Sequence, residues 1–171
     1  KGLYLIKVMT GKDRSNPVKS GFDAAVEFQP DWNNLPLRIK PSLVSKLLYK
    51  INIKKSAFIN NSVFDYNELV KNALRFVIPD YKFYRCITPS WDNSPRKKNR
   101  AHIFVNSSPE AYGNWLNQTV KNFIPYSEEE NFIFINAWNE WAEGNHLEPC
   151  QKWGMKYLFE TKKAIHEQSG R

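Results

Sequence analysis

Asn136-Ala137-Trp138-Asn139-Glu140-Trp141-Ala142-Glu143-Gly144-Asn145-His146-Leu147-Glu148-Pro149 packs two Trp, three Glu, three Asn and a His into fourteen residues. Glu140 and Glu143 stand three apart, so a helical turn there would bring their Cβ atoms to roughly 5–6 Å. Two carboxyls that close repel as anions. One is pushed toward its protonated form and can act as an acid while the other stays a base. Indole faces stack on sugar rings, Asn and Asp bind hydroxyls, and a carboxyl pair handles protons, which together are the needs of a glycan site. The plainer alternatives are a solvated helix face for the Glu pair and a core position for Trp138 and Trp141. His146 fits a hydrogen-bonding loop residue, and Glu148 two positions on is a faint metal spacing, so no metal and no cofactor are expected.

Two other stretches carry the same residue types. Thr88-Pro89-Ser90-Trp91-Asp92-Asn93 again places an aromatic before a carboxylate and an amide, and Ala24–Phe28 carries Glu27 near its end. The expected substrate-binding set is therefore Glu27, Trp91, Asp92, Asn93, Trp138, Asn139, Trp141 and His146, with Glu140 and Glu143 as the catalytic pair. Asp92 and Asn93 could instead shape a turn before Pro95, and Glu27 could pair with an interior Arg or Lys. Cys86 reads as a small core residue and Cys150 has no base beside it; neither forms a metal or disulfide pattern.

These residues need a scaffold. Leu3–Met9, Ala24–Phe28, Phe83–Ile87 and Phe132–Ile135 are short, near-continuous apolar runs, the pattern of strands in a parallel sheet covered on both faces. Helical periodicity follows Pro41 (Leu43, Val44, Leu47, Leu48, Ile51). It returns after the Asp65-x-x-Glu68 capping box (Leu69, Val70, Ala73, Leu74, Val77) and after Ser108-Pro109 (Tyr112, Trp115, Leu116, Thr119, Val120, Phe123). A last helix is expected from about Lys152 to Gln168, with Tyr157, Leu158, Thr161 and Ile165 inward. Alternation of strand and helix predicts an α/β fold of about four βα units, equal to half of a (β/α)8 TIM barrel or a small open sheet. In such folds chemistry gathers beyond the C-terminal ends of the strands, where all three polar-aromatic stretches fall.

Composition bounds the rest. The 171 residues are 42% hydrophobic and 15% aromatic, which excludes a disordered tail, and no apolar run approaches the ~18 residues of a membrane span. A soluble, cytoplasmic single domain is expected. The net charge of +8 is uneven: residues 1–60 carry 11 basic and 4 acidic side chains, 61–100 carry 8 and 4, and 101–171 carry 6 and 9. The densest basic stretch, Arg96-Lys97-Lys98 with Arg100, reads as a solvated loop or a phosphate or sugar-phosphate contact, and no nucleic-acid partner is expected.

The runs INAWNEWAEGNHLEP, GFDAAVEFQP, PSWDNSPRK and SSPEAYGNWL together resemble WbsX-type proteins of bacterial surface-polysaccharide gene clusters, whose domain is similar to glycoside hydrolase family 99. The resemblance implies the C-terminal half of a (β/α)8 barrel, residues 1–171 forming a single domain incomplete at its N-terminus. It implies a glycosyltransferase or retaining endo-glycosidase acting on a mannose-like glycan in lipopolysaccharide O-antigen or capsule metabolism. By position, Glu140 would be the base toward the sugar 2-hydroxyl and Glu143 the acid/base at the glycosidic oxygen. Cys150 stands where the family usually has Asp. The alternative is a non-catalytic glycan-binding or interaction module. The expected partners are a glycan or sugar and the missing N-terminal half or another chain covering the open sheet face.

Overall fold

A computed structural model describes residues 2–51, 57–97 and 99–169. In chain order the elements are β1 (Ile6–Met9), β2 (Ala24–Glu27), α1 (Leu43–Lys50), α2 (Ala57–Asn60), β3 (Ser62–Asp65), α3 (Tyr66–Leu74), β4 (Phe83–Tyr84) and β5 (Cys86–Ile87). They continue with β6 (His102–Val105), α4 (Pro109–Asn122), β7 (Phe134–Ile135), β8 (Asn139–Glu140), β9 (Asn145–His146) and α5 (Lys156–Ser169).

The four apolar runs all contribute strands, in shorter form. β1 pairs parallel with β2, β2 with β4, and β5 with β7. β4 and β5 are one extended run interrupted at Arg85. Its first half lies against β2 and its second against β7, so neighbours in space follow chain order. The interruption has a local cause: the Cys86 N–H donates to the Glu27 carboxylate at 3.3 Å instead of to a strand carbonyl. Leu3 and Leu5, expected in the first strand, are exposed and precede β1, and Phe132 and Ile133 precede β7. All four residues of β2 are buried, as a strand covered on both faces requires.

A second parallel pair, β3 with β6, has no counterpart in the expected element list. Val63 and Phe64, and Ile103 and Phe104, are its buried residues. The Trp91–Asn93 segment lies antiparallel beside it, the Phe104 N–H donating to the Trp91 carbonyl at 2.8 Å, with Asp92 bridged to Ile103.

The helices follow their caps. Ser42, Asp65 and Ser108 each accept first-turn N–H groups of α1, α3 and α4. α3 stops at Leu74, so Val77, expected inward, lies beyond it and is exposed. α4 buries Tyr112, Trp115, Leu116 and Thr119 as its periodicity predicts. α5 begins at Lys156 rather than Lys152. It buries Tyr157 and Ala164 and leaves Ile165 half exposed, a narrower inward stripe than expected. Gly113 sets the spacing between α4 and α5: a Cβ there would lie 2.5 Å from Glu160 Oε2 and 2.8 Å from its Cβ, so only hydrogen fits. The principal core gathers Tyr66, Leu69, Ile87, Trp91, Phe104, Tyr112, Trp115, Leu147 and Tyr157.

Candidate functional site

The loop after β7 is shaped as a narrow hairpin. β8 pairs antiparallel with β9, Asn139 opposite His146 and Glu140 opposite Asn145, and a 3-10 turn over Trp141–Glu143 closes it. Glu140 is therefore the last residue of β8 and the N-cap of that turn, not part of a helical face shared with Glu143. Gly144 ends the turn at φ +57°, and a Cβ there would meet the Asp92 carbonyl oxygen at 2.9 Å. Glycine is needed twice over, for its left-handed backbone and for the close approach to the Asp92 strand end. The approach is sealed by the Asp92 N–H donating to the Glu143 carbonyl (2.7 Å) and by Ser90 Oγ donating to the Gly144 carbonyl (2.5 Å). Thr88 Oγ1 donates to Asn145 Oδ1 at 2.9 Å, with both residues fully buried. The two polar-aromatic loops are thus bolted together at their bases.

On this base the site side chains separate into two groups. Trp138 and Trp141 are not core residues: they are 51% and 48% exposed. Trp141 stacks on His146 with ring centroids 3.9 Å apart, and its Nε1 donates to Glu148 Oε2 at 2.8 Å. His146 Nδ1 sits 3.0 Å from the Glu148 carbonyl oxygen. His146 and Glu148 thus hold an indole in place. Asn139 and Glu140 are exposed beside them, and the Glu140 carboxylate meets no cation among the described residues. Glu143 pairs with the guanidinium of Arg96 from the loop after β5. Phe28, Trp32, Trp91, Asn93, Arg96, Lys97, His102 and Glu143 line a cleft of about 310 Å³.

The other group is built into the structure. Trp91 is buried in the core with its edge against Trp32, centroids 5.3 Å apart, so it forms a wall of the cleft rather than a free stacking face. Asp92 Oδ1 accepts from Ser94 N at 2.9 Å, and Asn93 Oδ1 accepts from His102 N at 2.8 Å, which makes both residues shapers of this turn. Glu27 is buried with Arg85, whose Nε donates to it at 2.7 Å, while Gln29 Nε2 donates at 2.6 Å. Burial pushes the Glu27 carboxyl above the usual carboxylate range even though Arg85 pulls it down. Gln29 passes the linkage on, its carbonyl accepting from Asn136 Nδ2 at 2.7 Å at the root of the β7 loop. Cys86 lies in the inner core, its thiol pushed up to about 12 chiefly by burial and then by Glu27.

Trp32, His102 and Arg96 complete the cleft and lie outside the expected site set. Trp32 had a readable signal, because Trp32-Asn33-Asn34 after β2 repeats the indole-then-amide pattern of Trp91-Asp92-Asn93 and Trp138-Asn139. His102 has none, since it enters the cleft through β6. Burial, then the charges of Lys97 and Arg38, hold its imidazole below the ordinary histidine range.

The family described as Glycosyltransferase WbsX matches residues 1–161, and the chain belongs to that family. Two curated relatives, both described as "Uncharacterized protein WxcX", come from Xanthomonas campestris pv. campestris. The strain B100 protein is 35% identical and the ATCC 33913 protein 34% identical, over 157 residues in each case. These matches cover 91% of this chain but 21% of each relative, so the chain spans about a fifth of their length. A solved "Glycoside hydrolase-like protein" shares the fold at TM-score 0.54 and 15% identity, over 95% of this chain and 44% of the other.

Proposed function

We propose that this chain is the C-terminal half of a (β/α)8 barrel in a carbohydrate-active enzyme, with Glu140 and Glu143 as its carboxylate pair. The observation that carries the reading is the hairpin after β7. It presents Glu143 to an aromatic-walled cleft and leaves Trp138 and Trp141 exposed at the same strand end. Two further observations support the half-barrel. Along β1, β2, the β4–β5 run and β7 the parallel neighbours follow chain order with no reversal, as in a barrel and unlike a doubly wound sheet, while β3 and β6 pair with each other apart from this run. The glycoside hydrolase-like neighbour is matched over 44% of its length.

In this mechanism Glu140 removes the proton of the sugar 2-hydroxyl as O2 attacks C1, while Glu143 gives a proton to the departing glycosidic oxygen. A 1,2-anhydro sugar results. Glu143 then takes a proton from an incoming hydroxyl that opens this intermediate at C1, and Glu140 returns the proton to O2, so configuration is retained. Water as the incoming hydroxyl makes a hydrolase, and a sugar hydroxyl makes a transferase. The substrate is a mannose-like glycan of a bacterial surface polysaccharide, lipopolysaccharide or capsule, handled on the cytoplasmic side. In the full-length protein Glu143→Gln should lower turnover by about 10²–10⁴-fold with the melting temperature kept, the usual share of a general acid/base. Intact turnover would remove Glu143 from the chemistry. The exposure of Glu140, with no cation partner among the described residues, also suits a second reading, a glycan-binding module. Binding that survives Glu140→Gln with Glu143→Gln, together with no product from the parent protein, would favour it.

A further inference from the structure

Between Asp31 and Asp65 the chain has no acidic residue and six basic ones, Arg38, Lys40, Lys46, Lys50, Lys54 and Lys55. α1 lies within this stretch and none of its residues is buried. Its exposed apolar side chains fall at Leu43, Val44 and Leu47, with Ile51 at its C-cap and the half-buried Leu48 alongside, which on a helix is one stripe. Leu43 is 82% exposed, and Val44, Leu47 and Ile51 are each more than half exposed. Lys46 and Lys50, one turn apart, flank that stripe. Beside α1 runs a groove of about 700 Å³ lined by Arg38, Lys40, Lys46 and Lys50 together with Leu43 and Leu47.

A water-facing helix has no use for an aliphatic stripe, and a nucleic-acid surface needs the cations without it. Aliphatic side chains edged by lysines, with no carboxylate among the described residues that line the groove, match an anionic bilayer surface, where the stripe enters the acyl boundary and the ammonium groups meet lipid phosphates. We propose that α1 and its basic groove form a docking surface for an anionic phospholipid membrane. This segment leaves β2 at its C-terminal end. The β7 hairpin leaves its own parallel strand at the same end. The charge of Arg38, which lines the groove, is also felt at His102 in the cleft. The proposal is independent of the catalytic assignment and is tested without substrate.

The full-length protein should sediment with vesicles of phosphatidylcholine containing phosphatidylglycerol and not with phosphatidylcholine alone, and added salt should weaken that binding. Each lysine near an anionic surface is worth roughly a five-fold change in partition, so Lys46→Glu with Lys50→Glu should cost about 25-fold or more. Leu43→Ser with Leu47→Ser should abolish binding at every salt concentration. All four side chains are exposed, so circular dichroism and melting temperature should stay at parental values. Equal binding to both vesicle types, or binding unchanged by either double variant, overturns the proposal. So does a Leu47→Cys thiol that maleimide cannot reach in the full-length protein, because another segment then covers the stripe. Retention on duplex DNA or RNA in place of vesicles overturns it as well.

Discussion

Two Glu–Arg pairs lie near the C-terminal ends of these parallel strands, and they differ in nearly everything except their residue types. Glu27 and Arg85 have side chains 2% and 9% exposed, and the Glu27 carboxylate takes donors from Arg85, Gln29 and the Cys86 N–H. Glu143 and Arg96 have side chains 13% and 55% exposed, in a cleft between aromatic walls. A carboxylate that already accepts from three donors and is sealed from solvent is closed to a ligand. One held by a single solvated guanidinium can be released to meet substrate. Solvent access and the number of donors thus separate a sealed pair from an open one, and neither is visible in residue type or in spacing.

The sealed pair should respond most to damage. Arg85→Ala leaves Glu27 without its cation and the Ala73 carbonyl without the Arg85 Nη2 donor. The expected loss is about 3–5 kcal/mol, read from the urea midpoint. Because burial already raises the Glu27 carboxyl, removing the cation raises it further. A proton held more tightly in the folded state favours folding at low pH, so the loss should grow as pH rises above the ordinary carboxylate range. Glu27→Leu combined with Arg85→Met should recover most of the stability, since packed apolar side chains replace such pairs well. A loss under about 1 kcal/mol for Arg85→Ala would place this pair in the same class as the exposed one.

Gly144→Ala comes next and acts on the boundary between the two regions. The new methyl group requires a left-handed alanine and a shift of the Asp92 backbone, together worth about 1–3 kcal/mol. Turnover in the full-length protein should fall as well, because Glu143 is anchored through the same junction by its carbonyl to Asp92 N. Parental activity and stability together would mean that the two loops move apart without consequence.

How much of this could be read in the sequence depended on whether the signal was local. Ser108-Pro109 and Asp65 announce helix starts because a cap acts within one turn, and the four apolar runs announce strands because their apolar character is near-continuous. β3 and β6 escape because Ser62–Asp65 and His102–Val105 are four residues each with half-buried ends, and each becomes a strand through the other. The β7 hairpin shows the same limit. Its residues pointed to a site, but the helical turn expected across Glu140 and Glu143 became a hairpin closed by a 3-10 turn, since Asn145 is drawn inward by Thr88. Glu27 was open between site and interior pairing, and only the tertiary position of Arg85 decides it.

Arg96→Gln is the counterpart of Arg85→Ala at the open pair. With Arg96 more than half exposed, solvent screens the attraction, and stability should change by about 1 kcal/mol or less. Turnover should still drop, on the order of 10-fold to 100-fold, if Arg96 orients the Glu143 carboxylate. Arg96→Lys should restore part of it. A loss of stability as large as that of Arg85→Ala would erase the distinction between the pairs.

The smallest effect belongs to His102, in the wall of the open cleft. Burial lowers its pKa below the ordinary 6.5, and the positive charges of Lys97 and Arg38 add to this. The folded state therefore binds the imidazole proton less tightly than the unfolded chain. The stability this contributes is fully present above pH 6.5 and is lost as pH falls through the folded value, the opposite slope to that of Glu27. Proton-detected titration should find His102 below 6.5, and Lys97→Gln should move it only part of the way back, because burial is the larger cause and remains. A full return with Lys97→Gln would make the cleft wall a solvated surface governed by charge alone. No movement at all would mean that the Lys97 charge does not reach the imidazole.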